Sequence, residues 1–200
     1  MQEILSLDRD KSLLLIIDIQ ERLCASMAQD ELDSMLNKTK ILIKGCDILG
    51  VEIYESLQYK KGLGESVSGL FDSANDGVNQ GVDSHKIVRE CFEKRTFSVV
   101  YEGSPLLAHL AQNPHITQII IAGMEAHICV LQSARDLLNM GFEVAIASDC
   151  TISRNCENRA NALNFITQCG GGVLNMESIL FDLLKDSRSP HFKAISALVK

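Results

Sequence analysis

Ser12-Leu13-Leu14-Leu15-Ile16-Ile17-Asp18 sets five aliphatic residues in a row and stops on a carboxylate. A strand wetted on one face alternates polar with apolar. This run does not, and so reads as a strand buried on both faces in a parallel sheet covered by helices. Downstream, from Asp30 to Leu49, apolar residues at 32, 35, 36, 42, 43, 46 and 49 recur mostly at helical spacing, and Gly50 stands where a C′ glycine belongs. That is the first crossover helix, and Val51 to Leu57 reads as the second strand.

Residues 58–85 carry several glycines, Lys60-Lys61 and few apolar positions, which predicts a long loop of the kind that shapes a site. His85 to Phe92 reads as a third short strand leading into Glu93-Lys94-Arg95-Thr96-Phe97. Ser104-Pro105 then opens a helix, serine at N-cap and proline at N1, that ends before Asn113-Pro114. Gln118-Ile119-Ile120-Ile121-Ala122 is a second fully buried strand, and residues 123–129 link it to a helix that runs to about Met140 and is capped by Gly141. Phe142 to Ala147 reads as the next strand, ended by Ser148-Asp149. A helix over 154–169, a break at Gly170-Gly171-Gly172, a last strand Val173-Leu174-Asn175 and helices over 177–185 and 190–199 complete the chain.

Six strands alternating with helices predict an α/β fold with right-handed crossovers: a three-layer α/β/α domain spanning residues 1–200. Its sheet is open, six-stranded, mostly parallel and doubly wound, Rossmann-like with order 3-2-1-4-5-6, and ligands are expected beyond the carboxyl ends of the strands.

Composition excludes several function classes. Nineteen Lys and Arg against 26 Asp and Glu leave a net charge of −7, a field that repels phosphate backbones and anionic lipid. No nucleic-acid partner is expected. The longest apolar runs are far shorter than the ~20 residues of a membrane span, so no membrane role is expected either. Met1-Gln2-Glu3-Ile4 lacks the features of an export signal. The seven cysteines, at 24, 46, 91, 129, 150, 156 and 169, form no CxxC pair or disulfide framework, which points to a reducing, cytoplasmic compartment. Gly62-x-Gly64 precedes no clear helix and lacks a third glycine, so no dinucleotide cofactor is expected.

Two residues stand where chemistry is expected. Asp18, at the carboxyl end of the first buried strand, either accepts a proton or caps the segment that follows. Cys129, in the first turn after the 118–122 strand, is either a nucleophile helped by the helix macrodipole or a packed small hydrophobe. The other six cysteines read as packing residues.

Leu14-Leu15-Ile16-Ile17-Asp18-Ile19-Gln20, Lys94 with Phe97, and Gly123-Met124-Glu125-Ala126-His127-Ile128-Cys129-Val130 resemble, in order and spacing, the three motifs of the isochorismatase-like cysteine hydrolases. Asp149, Ser153-Arg154 and Arg159-Ala160-Asn161-Ala162-Leu163 resemble the segment after that family's fifth strand, so the likeness spans nearly the whole chain. The resemblance implies an Asp-Lys-Cys triad of Asp18, Lys94 and Cys129 at the C-terminal edge of the sheet. Composition alone makes Lys94 a surface lysine. Beside Cys129, its ammonium lowers the thiol pKa, while Asp18 takes the thiol proton and returns it to a leaving amine. The resemblance further implies a cis peptide at Met124-Glu125 that turns the N–H groups of Ala126 or Cys129 toward the acyl oxygen as an oxyanion hole.

The activity implied is hydrolysis of a carbon–nitrogen, amide-type bond of a small molecule through a Cys129 thioester. The alternatives are a non-catalytic binding or assembly module on the same fold and an isochorismatase-type vinyl-ether hydrolase. Nicotinamidases of this superfamily hold a metal through an Asp-x-His pair after the second strand, where this chain has Glu55-Ser56-Leu57-Gln58-Tyr59-Lys60. Histidines 85, 109, 115, 127 and 191 show no paired ligand spacing, so no metal and no cofactor are expected. Candidate substrate contacts are Gln20 beside Asp18, Tyr59 and Phe97 as pocket walls, and Ser153 with Arg154, the guanidinium suiting a carboxylate and the serine otherwise capping a helix. Homo-oligomerisation is implied by the family, with Phe192, Ile195, Leu198 and Val199 as a candidate contact.

Overall fold

The computed structural model describes residues 5–71 and 89–200. Its elements run β1 (Ser12–Ile17), α1 (Glu21–Cys24), α2 (Gln29–Leu49), β2 (Glu52–Gln58), α3 (Lys60–Leu63), β3 (Arg89–Lys94), α4 (Pro105–Gln112), β4 (Gln118–Met124), a π-helical turn (Ala126–Val130), α5 (Leu131–Asn139), β5 (Glu143–Ile152), α6 (Cys156–Gln168), β6 (Gly172–Leu174), α7 (Met176–Leu184) and α8 (Phe192–Leu198). All six strands are parallel, in the order β3-β2-β1-β4-β5-β6. The expected α/β/α sheet is the one observed.

Every residue of β1 and of β4 is buried, and the two-residue period of a strand sorts them into two cores. Leu14, Ile16, Ile120 and Ala122 pack against α2, α7 and α8 through Leu42, Ile43, Ile179, Leu180 and Ile195. Leu13, Leu15, Ile17, Ile119 and Ile121 pack on the other face against α4, α5 and α6 through Leu106, Leu110, Ala134, Leu137 and Ile166. Ser104 caps α4 as expected, its side chain accepting from the Leu107 amide.

The structure corrects four readings. The third strand runs from Arg89 to Lys94, later than its reading, whose first residues, 85–88, lie outside the described residues. The long loop contains the single turn α3, and Gln20 pairs with Ser66 in an antiparallel bridge; residues 72–85 of that loop lie outside the described residues. β5 continues past Ser148-Asp149 to Ile152, after a register shift of β4 between Ile121 and Gly123. The polar residues there are used rather than exposed: Asp149 Oδ1 accepts the Met176 amide at 2.7 Å, and Thr151 Oγ1 donates to the Ala147 carbonyl at 2.9 Å. At the C-terminus, Ile195 is fully buried and Phe192, Leu198 and Val199 pack on the same core. Ile195 is therefore lost to the interior, while Phe192, Leu198 and Val199 pack on the chain's own core and stay half-buried.

Among the described residues no helix is long and apolar enough to cross a membrane. None of the seven cysteines, all among the described residues, is joined in a disulfide. Burial pushes the thiols of Cys46 and Cys150 well above their ordinary pKa of 9.0. Above that value the unfolded chain loses these protons while the folded chain keeps them, so stability falls as pH rises, by about 1.4 kcal/mol per thiol per pH unit. Cys46 and Cys150 are expected to contribute about 3 kcal/mol to the loss of stability that urea unfolding in reductant shows between pH 8 and pH 10, and Cys46→Ala to remove about half of that contribution. An unchanged midpoint across that interval would contradict the burial of both thiols.

Candidate active site

Three strand ends meet at the C-terminal edge of the sheet. Asp18 follows β1 with φ 53°, a left-handed conformation that turns the chain out of the strand and that aspartate tolerates better than most residues. Lys94 ends β3, and Cys129 lies in the π-helical turn after β4. The Lys94 Nζ donates to Asp18 Oδ2 at 2.7 Å, and both side chains are 0% exposed. Ser56 Oγ donates to Asp18 Oδ1 at 2.8 Å, so each carboxylate oxygen has a partner. The buried Cys129 thiol feels the charges of both Asp18 and Lys94.

Burial raises the pKa of Asp18 above the ordinary carboxylate range, against the opposing pull of Lys94. Burial also pushes the Cys129 thiol up to about 12; the Asp18 charge adds to that rise and Lys94 counters it. The sequence led to the opposite expectation for the thiol, from the lysine and helix dipole alone. The low dielectric and the neighbouring carboxylate outweigh both, so at neutral pH the resting cysteine keeps its proton next to a base of raised pKa.

The Met124–Glu125 peptide bond is cis. Met124, Glu125 and Ala126 are buried, and the Glu125 carbonyl accepts the amides of Ile128 and Val130 at 3.0 and 3.3 Å, which winds the Cys129 turn. Glu125 Oε2 accepts the Arg154 amide at 3.0 Å and lies 3.7 Å from the Arg154 Nε. His127 Nδ1 and Ser153 Oγ are 3.0 Å apart. These two ties fasten the cysteine turn to the segment between β5 and α6. They also show that Ser153 is not a helix cap, since Asn155 fills that position for α6.

The other substrate-contact candidates fall into two groups. Gln20 is fully buried and occupied at both ends, its Oε1 accepting the Gln58 amide at 2.8 Å and its Nε2 donating to the Gly64 carbonyl at 2.7 Å. Tyr59 and Phe97 are exposed, Phe97 at 53%, and the Arg95 guanidinium sits 4.1 Å from the Tyr59 ring centroid. Sequence reasoning missed Ser56 and the roles of Gln58 and Glu125. The readable signal for the first two was polar residues two apart at the end of an otherwise buried strand. Among the described residues no three His, Cys, Asp or Glu side chains are grouped to hold a metal ion.

Comparison with known proteins agrees with this architecture. The isochorismatase domain model matches residues 12–178. Isochorismatase family protein 1A of Dictyostelium discoideum is 35% identical over 199 residues, covering 99% of this chain and 90% of that one. Among solved structures, one described as the MAR1 ribonuclease of Caenorhabditis elegans superposes with a TM-score of 0.83 at 26% identity, covering 98% of this chain and 92% of that one. The Escherichia coli YcaC product, described as an octameric hydrolase of unknown specificity, shares the fold with a TM-score of 0.80 at 18% identity, covering 99% and 91%. With its motifs in order and a family match over most of its length, the chain belongs to the isochorismatase family.

Proposed function

We propose that the protein is a cysteine hydrolase that cleaves a carbon–nitrogen, amide-type bond of a small molecule. The observation that carries this reading is the fully buried Lys94–Asp18 pair beside the Cys129 thiol. A buried ion pair is weak evidence for stability, because desolvation offsets much of its attraction, and polar groups gathered around a nucleophile are what catalysis requires. Asp18 takes the Cys129 proton as the sulfur attacks the carbonyl carbon. The tetrahedral species collapses as Asp18 returns that proton to the departing nitrogen, leaving a thioester. Water, deprotonated by Asp18, then attacks the thioester, and the proton goes to the cysteine sulfur. The amides of Ala126 and Cys129, beside the Met124-Glu125 peptide, are the oxyanion donors in this scheme. Tyr59, Phe97 and the exposed Arg154 are the outer substrate contacts, and no metal or other cofactor takes part.

The test is peptide-mapped mass spectrometry after brief exposure to a panel of small amides and activated esters. An acyl group on Cys129, absent in Cys129→Ala and lost on hydroxylamine treatment, is the expected result. Failure to find it with any acyl donor that the protein turns over would remove the thioester. The name of the Caenorhabditis elegans relative supplies a second reading, which the net charge of −7 opposes. RNA cleavage abolished by Asp18→Asn would favour it over amide hydrolysis.

Seven cysteines without a disulfide support a reducing, cytoplasmic setting for this chemistry. Homo-oligomerisation fits the family, and sedimentation at micromolar concentration is expected to give a multiple of the 22.0 kDa chain mass. A monomer under those conditions would refute it.

A further inference from the structure

The Lys94 ammonium has three protons to give and is held on more than one side. Besides Asp18, it donates to Gln58 Oε1 at 2.7 Å and, at a longer 3.4 Å, to the Thr96 carbonyl. Gln58 and Lys94 are register partners at the ends of β2 and β3, so their side chains leave the sheet on the same face. The Gln58 amide is itself fixed: its Nε2 donates to the Arg95 carbonyl at 2.9 Å, which turns its oxygen toward the lysine. Its backbone amide is held by Gln20, which in turn holds Gly64.

We propose that Gln58 is the positioning residue that sets the Lys94 ammonium between Asp18 and Cys129. The inference rests on the reading of Cys129 as a nucleophile and adds the device that aims its cationic partner. A neutral acceptor is the chemistry this position needs. A carboxylate here would give Lys94 a second anion and cancel its field at the sulfur. An aliphatic side chain would leave a buried N–H without a partner and the ammonium anchored by Asp18 and one long bond. With the amide in place, the ammonium keeps its direction. The charged groups that face the thiol are then Asp18 from the end of β1 and Lys94 from the end of β3.

The test is the pH dependence of Cys129 alkylation by iodoacetamide, read by peptide mapping between pH 7 and 9.5 on variants shown to be folded by circular dichroism. Gln58→Leu is expected to slow alkylation at pH 8.5 by about tenfold, the equivalent of one unit of thiol pKa. Gln58→Glu, which keeps the shape and the acceptor but adds an anion, is expected to shift the profile in the same direction. In a Lys94→Met background, Gln58→Leu is expected to change the rate by less than about twofold, because its effect passes through the lysine. A Gln58→Leu profile that superimposes on the parent, or one that shifts equally with and without Lys94, overturns the proposal. Alkylation reads the thiol directly, so a Cys129 that responds to Gln58 yet never carries an acyl group would defeat the hydrolase reading and leave this one standing.

Discussion

Asp18→Asn is expected to destabilise the protein by about 3–5 kcal/mol, because it strands the Lys94 ammonium in a site that excludes water. Asparagine is the appropriate replacement, since it accepts the left-handed backbone at this position (φ 53°) and leaves the change to charge alone. Lys94→Met is expected to cost less. The carboxyl it leaves behind already has a raised pKa and can take up a proton, whereas the ammonium must shed one. The double variant should recover most of the loss, because neither charge is then buried without its partner. Urea unfolding of the four proteins checks this through the coupling energy between the two positions. A double variant no more stable than Asp18→Asn would mean that the pair is not the closed ionic unit its 2.7 Å separation describes. Abolished Cys129 acylation in every one of these variants, stable or not, would separate what the pair does for the reaction from what it does for the fold.

Gly123→Ala is the second large effect. Gly123 sits near the end of β4 opposite Ile17, with φ +128°, and a Cβ added there would collide with the Ile17 carbonyl oxygen. That oxygen is backbone in the central strand, so no side-chain rotation relieves the contact. The expected loss is about 2–6 kcal/mol, backbone strain of ~1–3 combined with a similar term for forcing apart packed strands. Gly141→Ala is the control. Its φ of +92° is equally unsuited to alanine, but nothing lies within 4 Å of the added carbon, so only the strain term remains. Equal denaturation midpoints for the two variants would show that β1 and β4 separate at little cost, and would undermine the account of how Asp18 and Cys129 are brought together.

The parallel sheet was legible because β1 and β4 are buried on both faces and cannot hide that in their composition. Boundaries failed where polar residues found partners the sequence does not display. Ser148-Asp149 read as a stop, yet β5 carries on because Asp149 meets the Met176 amide and lies 3.4 Å from Lys38. Lys94 is the same problem at the site. A lone lysine is a surface residue by composition, and what buries this one are acceptors 76 and 36 residues away in the chain. The family motifs singled out Asp18, Lys94 and Cys129. No motif gave Gln58 its contact with Lys94, which depends on the register of β2 against β3. The thiol pKa was misjudged for a related reason: the lysine and the helix turn are visible in the sequence, but the depth of burial is not.

The strand order also sets a timetable for synthesis. Of these six strands, the first to leave the ribosome is the one that ends in the middle of the sheet, and its neighbour on one side, β4, finishes at residue 124. At 5–20 residues per second that is a delay on the order of 5–20 s, during which Leu13 to Ile17 can pair with β2 but not with β4. Until then the nascent chain offers an open aliphatic edge. The segment that defines the fold is therefore also one that spends part of translation half-paired.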